Sequence, residues 1–235
     1  FDSTPIICFE APHFGQITIQ NQSTPINGVD FLWSFPDGTT SDSINPTYTF
    51  MASGDYLITL TLSGNNCSDS TSHIMTVWNN PQIFITDSIN INCYGTATGS
   101  ITTTTNNGLP PYNYNWNNGA STPNINNLFA GTYTVIITDS NQCNNTDSVT
   151  LIEQSLLEAT SNTTPTTCFQ GNDGTATANP YGGTPPYSYS WSDGQTTQTA
   201  IGLSPGTYTC TITDSLGCDT FIQINITDPP QIINT

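Results

Sequence analysis

The stretch Gly131-Thr-Tyr-Thr-Val-Ile-Ile-Thr-Asp-Ser140 decides the fold of this chain. Its large apolar side chains recur at every second position, at Tyr133, Val135 and Ile137, which is the period of a β-strand with one buried face. A glycine opens the stretch and an Asp-Ser pair closes it, and both are typical of turns. The stretch therefore predicts a short, half-buried strand between two turns.

The chain repeats this stretch further along as Gly206-Thr-Tyr-Thr-Cys-Thr-Ile-Thr-Asp-Ser215. The likeness extends over residues 93–143 and 168–218, which align without a gap and are identical at 21 of 51 positions. A shared period of this kind is the mark of a duplicated structural unit. We therefore expect two closely related modules with the same order of strands, and we call residues at equivalent positions of the two repeats sister residues.

The region before these repeats, 1–79, follows the same plan more distantly. Phe31-Leu-Trp-Ser-Phe35 corresponds to the Trp-bearing strand of each repeat, and Gly54-Asp-Tyr56 corresponds to Gly131-Thr-Tyr133. At the other end, Pro230-Gln-Ile-Ile-Asn-Thr235 echoes Pro81-Gln-Ile-Phe-Ile-Thr86. The sequence therefore predicts three modules and the start of a further module or linker, with the bounds 1–79, 80–154, 155–229 and 230–235.

Some seven short strands per module, a Trp on a middle strand and a Tyr at the start of a late strand match an immunoglobulin-like sandwich. The sequence thus predicts an all-β chain, a tandem array of three antiparallel β-sandwiches that form an elongated rod. The aromatic residues that recur in every module are expected in the cores. They are Trp33, Tyr56, Trp116, Tyr133, Trp191 and Tyr208.

The chain contains 17 Asp and Glu but no Lys or Arg, so its formal net charge is −17. Nucleic-acid binding depends on cationic side chains that displace counterions from phosphate, and an anionic membrane surface would repel this chain. We therefore expect neither binding to nucleic acid nor insertion into a membrane. Stability must come from burial, hydrogen bonds and disulfides.

Six of the seven cysteines occupy equivalent positions, one before the second strand and one in the hairpin after the Tyr strand of each module. Six cysteines allow fifteen pairings, and the repeated positions favour one disulfide within each module. Disulfides indicate an oxidising, extracytoplasmic location. The predicted pairs are Cys8–Cys67, Cys93–Cys143 and Cys168–Cys218.

The seventh cysteine, Cys210, takes the place of Val135 in the sister repeat. A small hydrophobic side chain on the buried strand face is the favoured interpretation, so we expect a free, buried thiol. A reactive thiol or an interchain bridge is the alternative.

The region from Phe31 to Phe50, with the strand that begins at Gly54, resembles the PKD domain, a non-catalytic extracellular sandwich; it departs from the usual pattern at Pro36, where a Gly is common. Residues 93–143 and 168–218 resemble SprB repeats, with their Cys, Pro-Pro-Tyr, Trp, Gly-Thr-Tyr and Thr-Asp-Ser landmarks. SprB repeats are tandem modules of very large surface adhesins in gliding Bacteroidota. The resemblance implies export by the type IX secretion system and a role in surface adhesion or gliding motility.

The same resemblance implies O-glycosylation, because that phylum modifies Ser or Thr after Asp when a residue such as Ala, Ile, Leu, Val, Met or Thr follows. Six serines match this pattern, whereas a random order of the same residues would give roughly 1.5 matches. The composition of turns also favours Asp-Ser pairs. The matching candidates are Ser3, Ser43, Ser70, Ser88, Ser148 and Ser215.

Calcium is the one cofactor that the sequence leaves open, because Asp37, Asp42 and Asp55 lie in oxygen-rich segments. No EF-hand spacing is present, so solvated turn residues are the favoured interpretation and no other cofactor is expected. Catalysis is not expected either: the two histidines, His13 and His73, lie in the first module without a nucleophile motif nearby.

Together these features favour a structural and adhesive segment of a long, secreted fibre on a bacterial cell surface. Its expected partners are adjacent modules of the same long chain, extracellular polysaccharide or other surfaces, and covalent O-glycans. The alternative is an accessory, carbohydrate-binding or spacer region of a secreted hydrolase or protease, because PKD domains often accompany such enzymes.

Overall fold

The computed structural model describes residues 7–9, 15–23, 28–64 and 67–232. Every regular element among them is a β-strand, which confirms the predicted all-β class. Alternating burial runs along most of these strands, as in β-sheets that pack one face into a core. The chain is a tandem array of Ig-like β-sandwiches.

The first module places a five-stranded sheet of order β1-β7-β6-β3-β4 against a pair formed by β2 and β5. Trp33 and Phe50 are fully buried between the two sheets, and the Phe35 and Tyr48 rings stack with their centroids 4.3 Å apart. These strands are β1 (Ile7–Phe9), β2 (Gly15–Thr18), β3 (Asp30–Ser34), β4 (Thr40–Ser41), β5 (Thr47–Phe50), β6 (Gly54–Gly64) and β7 (Cys67–Asn79).

The second module consists of two three-stranded sheets, of order β10-β12-β13 and β11-β9-β8. The Trp-bearing strand pairs with the Tyr strand so that Trp116 lies opposite Val135 and Tyr114 opposite Ile137. The strands are β8 (Gln82–Ile89), β9 (Gly99–Asn106), β10 (Asn113–Trp116), β11 (Ile125–Leu128), β12 (Gly131–Thr138) and β13 (Asn144–Leu151).

The third module repeats this arrangement in sheets of order β14-β15-β17 and β16-β18-β19. The register is the same as in the second module, because Trp191 lies opposite Cys210 and Tyr189 opposite Ile212. The strands are β14 (Glu158–Thr164), β15 (Gly174–Tyr181), β16 (Ser188–Trp191), β17 (Thr199–Leu203), β18 (Gly206–Thr213) and β19 (Asp219–Ile226).

The aromatic residues expected in the cores differ in burial. The Trp33, Trp116 and Trp191 side chains are 0%, 2% and 3% exposed, whereas the three tyrosines are half-buried. The Tyr56 and Tyr208 hydroxyls donate hydrogen bonds to the backbone carbonyl four residues upstream, at 2.8 and 3.1 Å. This is the tyrosine-corner contact of Ig-like sandwiches.

The contacts of the chain divide it into two compact units, and the division runs through the second module. The predicted boundaries at 79/80 and 154/155 fall between strands, after β7 and after β13, and both remain predictions. Each unit contains one connection between successive modules. Unit 1 is Phe1–Thr86, Thr103–Pro123 and Tyr133–Ser148, and unit 2 is Asp87–Thr102, Asn124–Thr132 and Val149–Thr235.

Candidate functional site at the module connections

The disulfides join successive modules. Cys8 is bonded to Cys143 in unit 1 and Cys93 to Cys218 in unit 2, each with its two Cα atoms 5.5 Å apart. In both bonds the first cysteine of one module pairs with the last cysteine of the next. We call the first bond with its surroundings the first connection and the second bond with its surroundings the second connection.

The predicted pairs Cys8–Cys67, Cys93–Cys143 and Cys168–Cys218 are therefore wrong. In the first module the register explains why. Cys8 on β1 lies beside Trp78, near the end of β7, whereas Cys67 is the first residue of the same strand. At about 3.3 Å per residue the two positions are roughly 36 Å apart, while a disulfide requires Cα atoms within about 7 Å.

The third module gives the same reason. The loop that contains Cys168 lies at the end of β19, because Thr166 N–H donates to the Thr227 carbonyl and Gln170 N–H donates to the Asp228 carboxylate, at 3.1 and 3.0 Å. Cys218 lies just before the start of this strand. About 26 Å of extended strand thus separates the two cysteines that the sequence had paired.

A buried aspartate organises the hairpin that carries the last cysteine of each repeat. Asp139 and Asp214 are 3% and 6% exposed. One carboxylate oxygen of Asp214 accepts the backbone N–H groups of Leu216 and Cys218, and the other accepts that of Thr184, all at 2.9 Å. Asp139 makes the equivalent three bonds, also at 2.9 Å, to Asn141, Cys143 and Leu109.

These bonds outweigh burial in setting the charge of Asp214. Burial, the largest single effect, raises the pKa of the Asp214 carboxyl, but the backbone N–H groups of Cys218, Thr184, Leu216 and Gly217 together bring the pKa below its ordinary value. Asp214 is thus held as a carboxylate that fixes Cys218. Sequence reasoning treated this aspartate as a turn residue, because its partner Thr184 lies far away along the chain.

The serine after each of these aspartates is also engaged. The Ser140 hydroxyl donates to the Leu109 carbonyl at 2.8 Å, and the Ser215 hydroxyl donates to the Thr184 carbonyl at 2.9 Å. The Thr-Asp-Ser motif therefore ties the cysteine hairpin to the segment before the Pro-Pro-Tyr motif in both repeats.

The second connection is closely packed around two glycines. Gly183 N–H donates to the Ser155 carbonyl at 3.0 Å. A side chain at Gly182 would collide with the Leu156 carbonyl oxygen, and one at Gly183 would meet the Asp214 carboxylate at 2.9 Å and Leu157 at 3.2 Å. A groove of about 230 Å³ beside the disulfide is lined by Tyr94 and Leu156, among others.

The first connection has equivalent contacts. Asn80 N–H donates to the Phe9 carbonyl at 3.0 Å, and the Asn80 side-chain amide donates to the Asn144 carbonyl at 3.2 Å. A side chain at Gly108 would meet both the Asp139 carboxylate and the Pro81 backbone at 2.9 to 3.0 Å. The linker between the modules thus packs against the hairpin that carries Cys143.

The calcium candidates occupy separate places. Asp37 accepts the Thr39 hydroxyl at 2.7 Å and the Thr39 N–H at 3.0 Å, and these hydrogen bonds lower the pKa of its carboxyl. Asp55 accepts the Thr76 hydroxyl at 2.7 Å, and Asp42 is exposed. Across residues 7–9, 15–23, 28–64 and 67–232, no three His, Cys, Asp or Glu side chains gather as metal ligands would.

The glycosylation candidates are mostly accessible. Ser43, Ser70, Ser88 and Ser148 are exposed. Ser215 is exposed as well, although its hydroxyl donates the hydrogen bond to Thr184. Ser3 and His13 lie outside the described residues.

The three cysteines without a disulfide differ in exposure. Cys210 is 0% exposed in the core of the third module, opposite Trp191, and burial raises the pKa of its thiol. Cys67 and Cys168 are exposed. In the part of the chain that the structure describes, no helix is long and apolar enough to cross a membrane.

Comparisons with known proteins identify the modules. A PKD domain matches residues 14–77, and the SprB repeat matches residues 85–121 and 160–196. A mutated variant of a titin three-Ig fragment is 13% identical, over 96% of this chain and 96% of its own, with a TM-score of 0.42. The N-terminal eight Ig domains of Down Syndrome Cell Adhesion Molecule are 13% identical, over 92% of this chain and 35% of theirs, with a TM-score of 0.44. No curated protein matches the sequence.

The resemblance stated from the residues is therefore confirmed. The domains found are structural, non-catalytic types and are typical of extracellular surface proteins. The chain consists of a PKD domain followed by two SprB repeats, folded as tandem Ig-like sandwiches whose successive modules are joined by disulfides.

Proposed function

We propose that the chain is a non-catalytic, structural and adhesive segment of a long secreted fibre on a bacterial cell surface, exported by the type IX system and used in surface attachment or gliding. The observation that carries this proposal is that each disulfide joins two successive modules. A fibre that holds a cell on a surface is pulled along its chain, and these bonds lie on the path of that force.

The pairing shortens the covalent path greatly. With both bonds closed, the path from Phe1 to Thr235 needs only residues 1–8, 93–143 and 218–235. That is about 74 peptide steps, or ~280 Å when fully extended, compared with ~840 Å for the whole chain. Even if every sandwich unfolded under load, the fibre would lengthen to only about a third of the extended chain.

The surface of the chain supports contact with neutral or glycan-coated partners. Thr, Asn and Ser dominate the sequence, and Lys and Arg are absent. We propose that adhesion comes from many weak contacts to extracellular polysaccharide or similar surfaces. Because the chain has no Lys or Arg, electrostatic attraction to polyanions does not contribute to this adhesion.

We further propose that O-glycans are attached at Ser43, Ser70, Ser88 and Ser148, all of which are exposed. The proposal leaves out Ser215, because a glycosylated hydroxyl could no longer donate to the Thr184 carbonyl. Glycopeptide mass spectrometry of natively sourced protein tests this: added hexose on the four serines supports the proposal, and four unmodified serines contradict it.

Immunogold electron microscopy of intact cells, with antibody raised against residues 1–235, tests the main proposal. We expect gold on thin strands that project from the cell, and we expect weaker attachment after in-frame deletion of the segment. Restoring the deletion with Ig-like modules of equal length from an unrelated protein separates an adhesive role from a spacing role. Gold on discrete released particles that also carry a hydrolase or protease domain would contradict the proposal and favour the accessory role.

A further inference from the structure

We propose that Cys67 and Cys168 are the two open ends of the same staggered disulfide series. Cys168 bonds to the last cysteine of the module that follows, and Cys67 bonds to the first cysteine of the module that precedes. The inference rests on the proposed function in one respect, because it takes neighbouring modules of this kind to be present in the same chain. Every module in the fibre is then covalently tied to both of its neighbours.

The internal repeat supplies the first reason. Cys168 is the sister residue of Cys93, and Cys93 is bonded to Cys218 in the next module. Cys67 is the equivalent of Cys218, because both lie in the hairpin after the Tyr strand. Cys67 is the first residue of β7, and Cys218 directly precedes β19. Both exposed cysteines therefore correspond to a residue that forms an intermodule disulfide in this same structure.

The loop that carries Cys168 is already built like the loop that carries Cys93. The Cys93 carbonyl accepts Thr96 N–H at 3.2 Å, and the Cys168 carbonyl accepts Gly171 N–H at 2.9 Å. Both hydrogen bonds close the same turn three residues on. In each loop a second hydrogen bond joins the residue before the cysteine to a side chain six positions after that residue. Thr98 accepts Asn92 N–H at 3.1 Å, and Asp173 accepts Thr167 N–H at 3.0 Å.

A carboxylate from the strand-to-linker segment holds the far side of each loop. Glu153 accepts Gly95 N–H at 2.7 Å, and Asp228 accepts Gln170 N–H at 3.0 Å. Glu153 and Asp228 are again sister residues. The Cys168 loop thus has the backbone arrangement that places Cys93 against its partner, so binding a following module needs no rearrangement of the loop.

An apolar side chain after the third module is exposed, although its sister is buried at the second connection. Leu157, in the segment that opens the third module, is 5% exposed and lies against Gly183 of that module, whereas its sister Ile232 is 90% exposed. A following module that continues from Ile232 as the third module continues from Leu157 would bury this side chain.

Closure of each bond is a two-electron oxidation. Two cysteine thiols release two protons and two electrons as the sulfur–sulfur bond forms, and an oxidised thiol–disulfide oxidoreductase of the exporting compartment takes them up. Glutathione disulfide can serve in vitro, where it is reduced to two glutathione thiols. The acceptor is thus a disulfide in both settings.

Disulfide mapping of the native full-length protein is the first test. Free thiols are blocked with N-ethylmaleimide before denaturation, and pepsin replaces trypsin because residues 1–235 contain no Lys or Arg. We expect a cross-linked peptide that joins Cys168 to the last cysteine of the following module, and one that joins Cys67 to the preceding module. Cys168 blocked by maleimide, or bonded to a cysteine of a second copy, would overturn the proposal.

A second test needs no knowledge of the native flanks. The full chain is extended after Pro229 with another copy of residues 155–229 and refolded with glutathione disulfide. We expect maleimide labelling of Cys168 to fall more than tenfold relative to a matched extension whose last cysteine is replaced by serine. Equal labelling in the two extended chains would overturn the proposal, whereas native protein without neighbouring modules would overturn the proposed function instead.

Discussion

Both connections contain the same kind of cysteine hairpin, but the cysteine that pairs with it lies in a different kind of structure in each. In both, a buried aspartate gathers three backbone N–H groups and fixes the last cysteine of an SprB repeat. The other cysteine comes from a β-strand in the first connection, where Cys8 on β1 pairs with β7, and from a closed loop in the second, where Cys93 lies between β8 and β9. The hairpin is therefore the constant half of the joint, and modules of different sequence can supply the other half.

The largest expected effect is on extensibility, where the two connections act together. Stretching single molecules by their ends should stop at ~280 Å in the oxidised chain and reach ~840 Å after reduction. Breaking only the second connection, with Cys93→Ser and Cys218→Ser, should give ~360 Å, because the path then follows residues 143–235 after the remaining bond. The matched control, Cys67→Ser with Cys168→Ser, should leave the oxidised limit unchanged.

The same variants should also differ in their free energy of unfolding. The bonds close loops with sequence separations of 125 and 135, which in the chain-entropy model is equivalent to about 5 kcal/mol for each. Cys93→Ser with Cys218→Ser should lower the free energy of unfolding of unit 2 by about that amount in a denaturant titration without reductant. A loss of similar size in the Cys67→Ser, Cys168→Ser control would contradict the observed pairing.

A smaller effect should come from filling the second connection without touching its cysteines. Gly182→Ala places a methyl group against the Leu156 carbonyl, so we expect about 3 kcal/mol of destabilisation or more. Gly194→Ala is the matched control, because Gly194 has a similar positive φ of 91° but open space around it. Thermal unfolding of the two variants measures the difference, and equal losses would show that backbone strain alone is responsible.

The smallest expected effect is the pH dependence of the stability that Asp214 gives to the cysteine hairpin. The pKa of Asp214 is lower in the folded protein than its ordinary value of about 3.9, so its contribution is present above about pH 4 and is lost as the pH falls through the folded value. Asp214→Asn should cost about 1–3 kcal/mol at pH 7, and the gap from the parent chain should narrow below about pH 4. Asp193→Asn, which removes a carboxylate from an exposed turn, is the control, and thermal unfolding of both variants between pH 7 and pH 2.5 measures the difference.

The fold was predictable because its signals are local and repeated. Alternation at Tyr133, Val135 and Ile137 identifies a half-buried strand, and the constant offset between the repeats carries that assignment to the sister strand. Even the buried position of Cys210 follows from its alignment with Val135.

The connections were not predictable in the same way, because they depend on which end of a module each cysteine occupies. Equivalent positions in every repeat allow pairing within a module or between neighbours, and only the strand directions separate Cys168 from Cys218 along β19. The one signal in the sequence was placement: one cysteine precedes an early strand and the other precedes the last strand. The role of Asp214 depends on Thr184, which only the folded chain brings near.

Disulfide mapping of residues 1–235, folded with glutathione disulfide and digested with pepsin at low pH, tests the central claim most directly. The account predicts cross-linked peptides that join Cys8 to Cys143 and Cys93 to Cys218, with Cys67 and Cys168 free for alkylation before denaturation. Peptides that join Cys8 to Cys67 and Cys168 to Cys218 would show that each module closes on itself, and would contradict it.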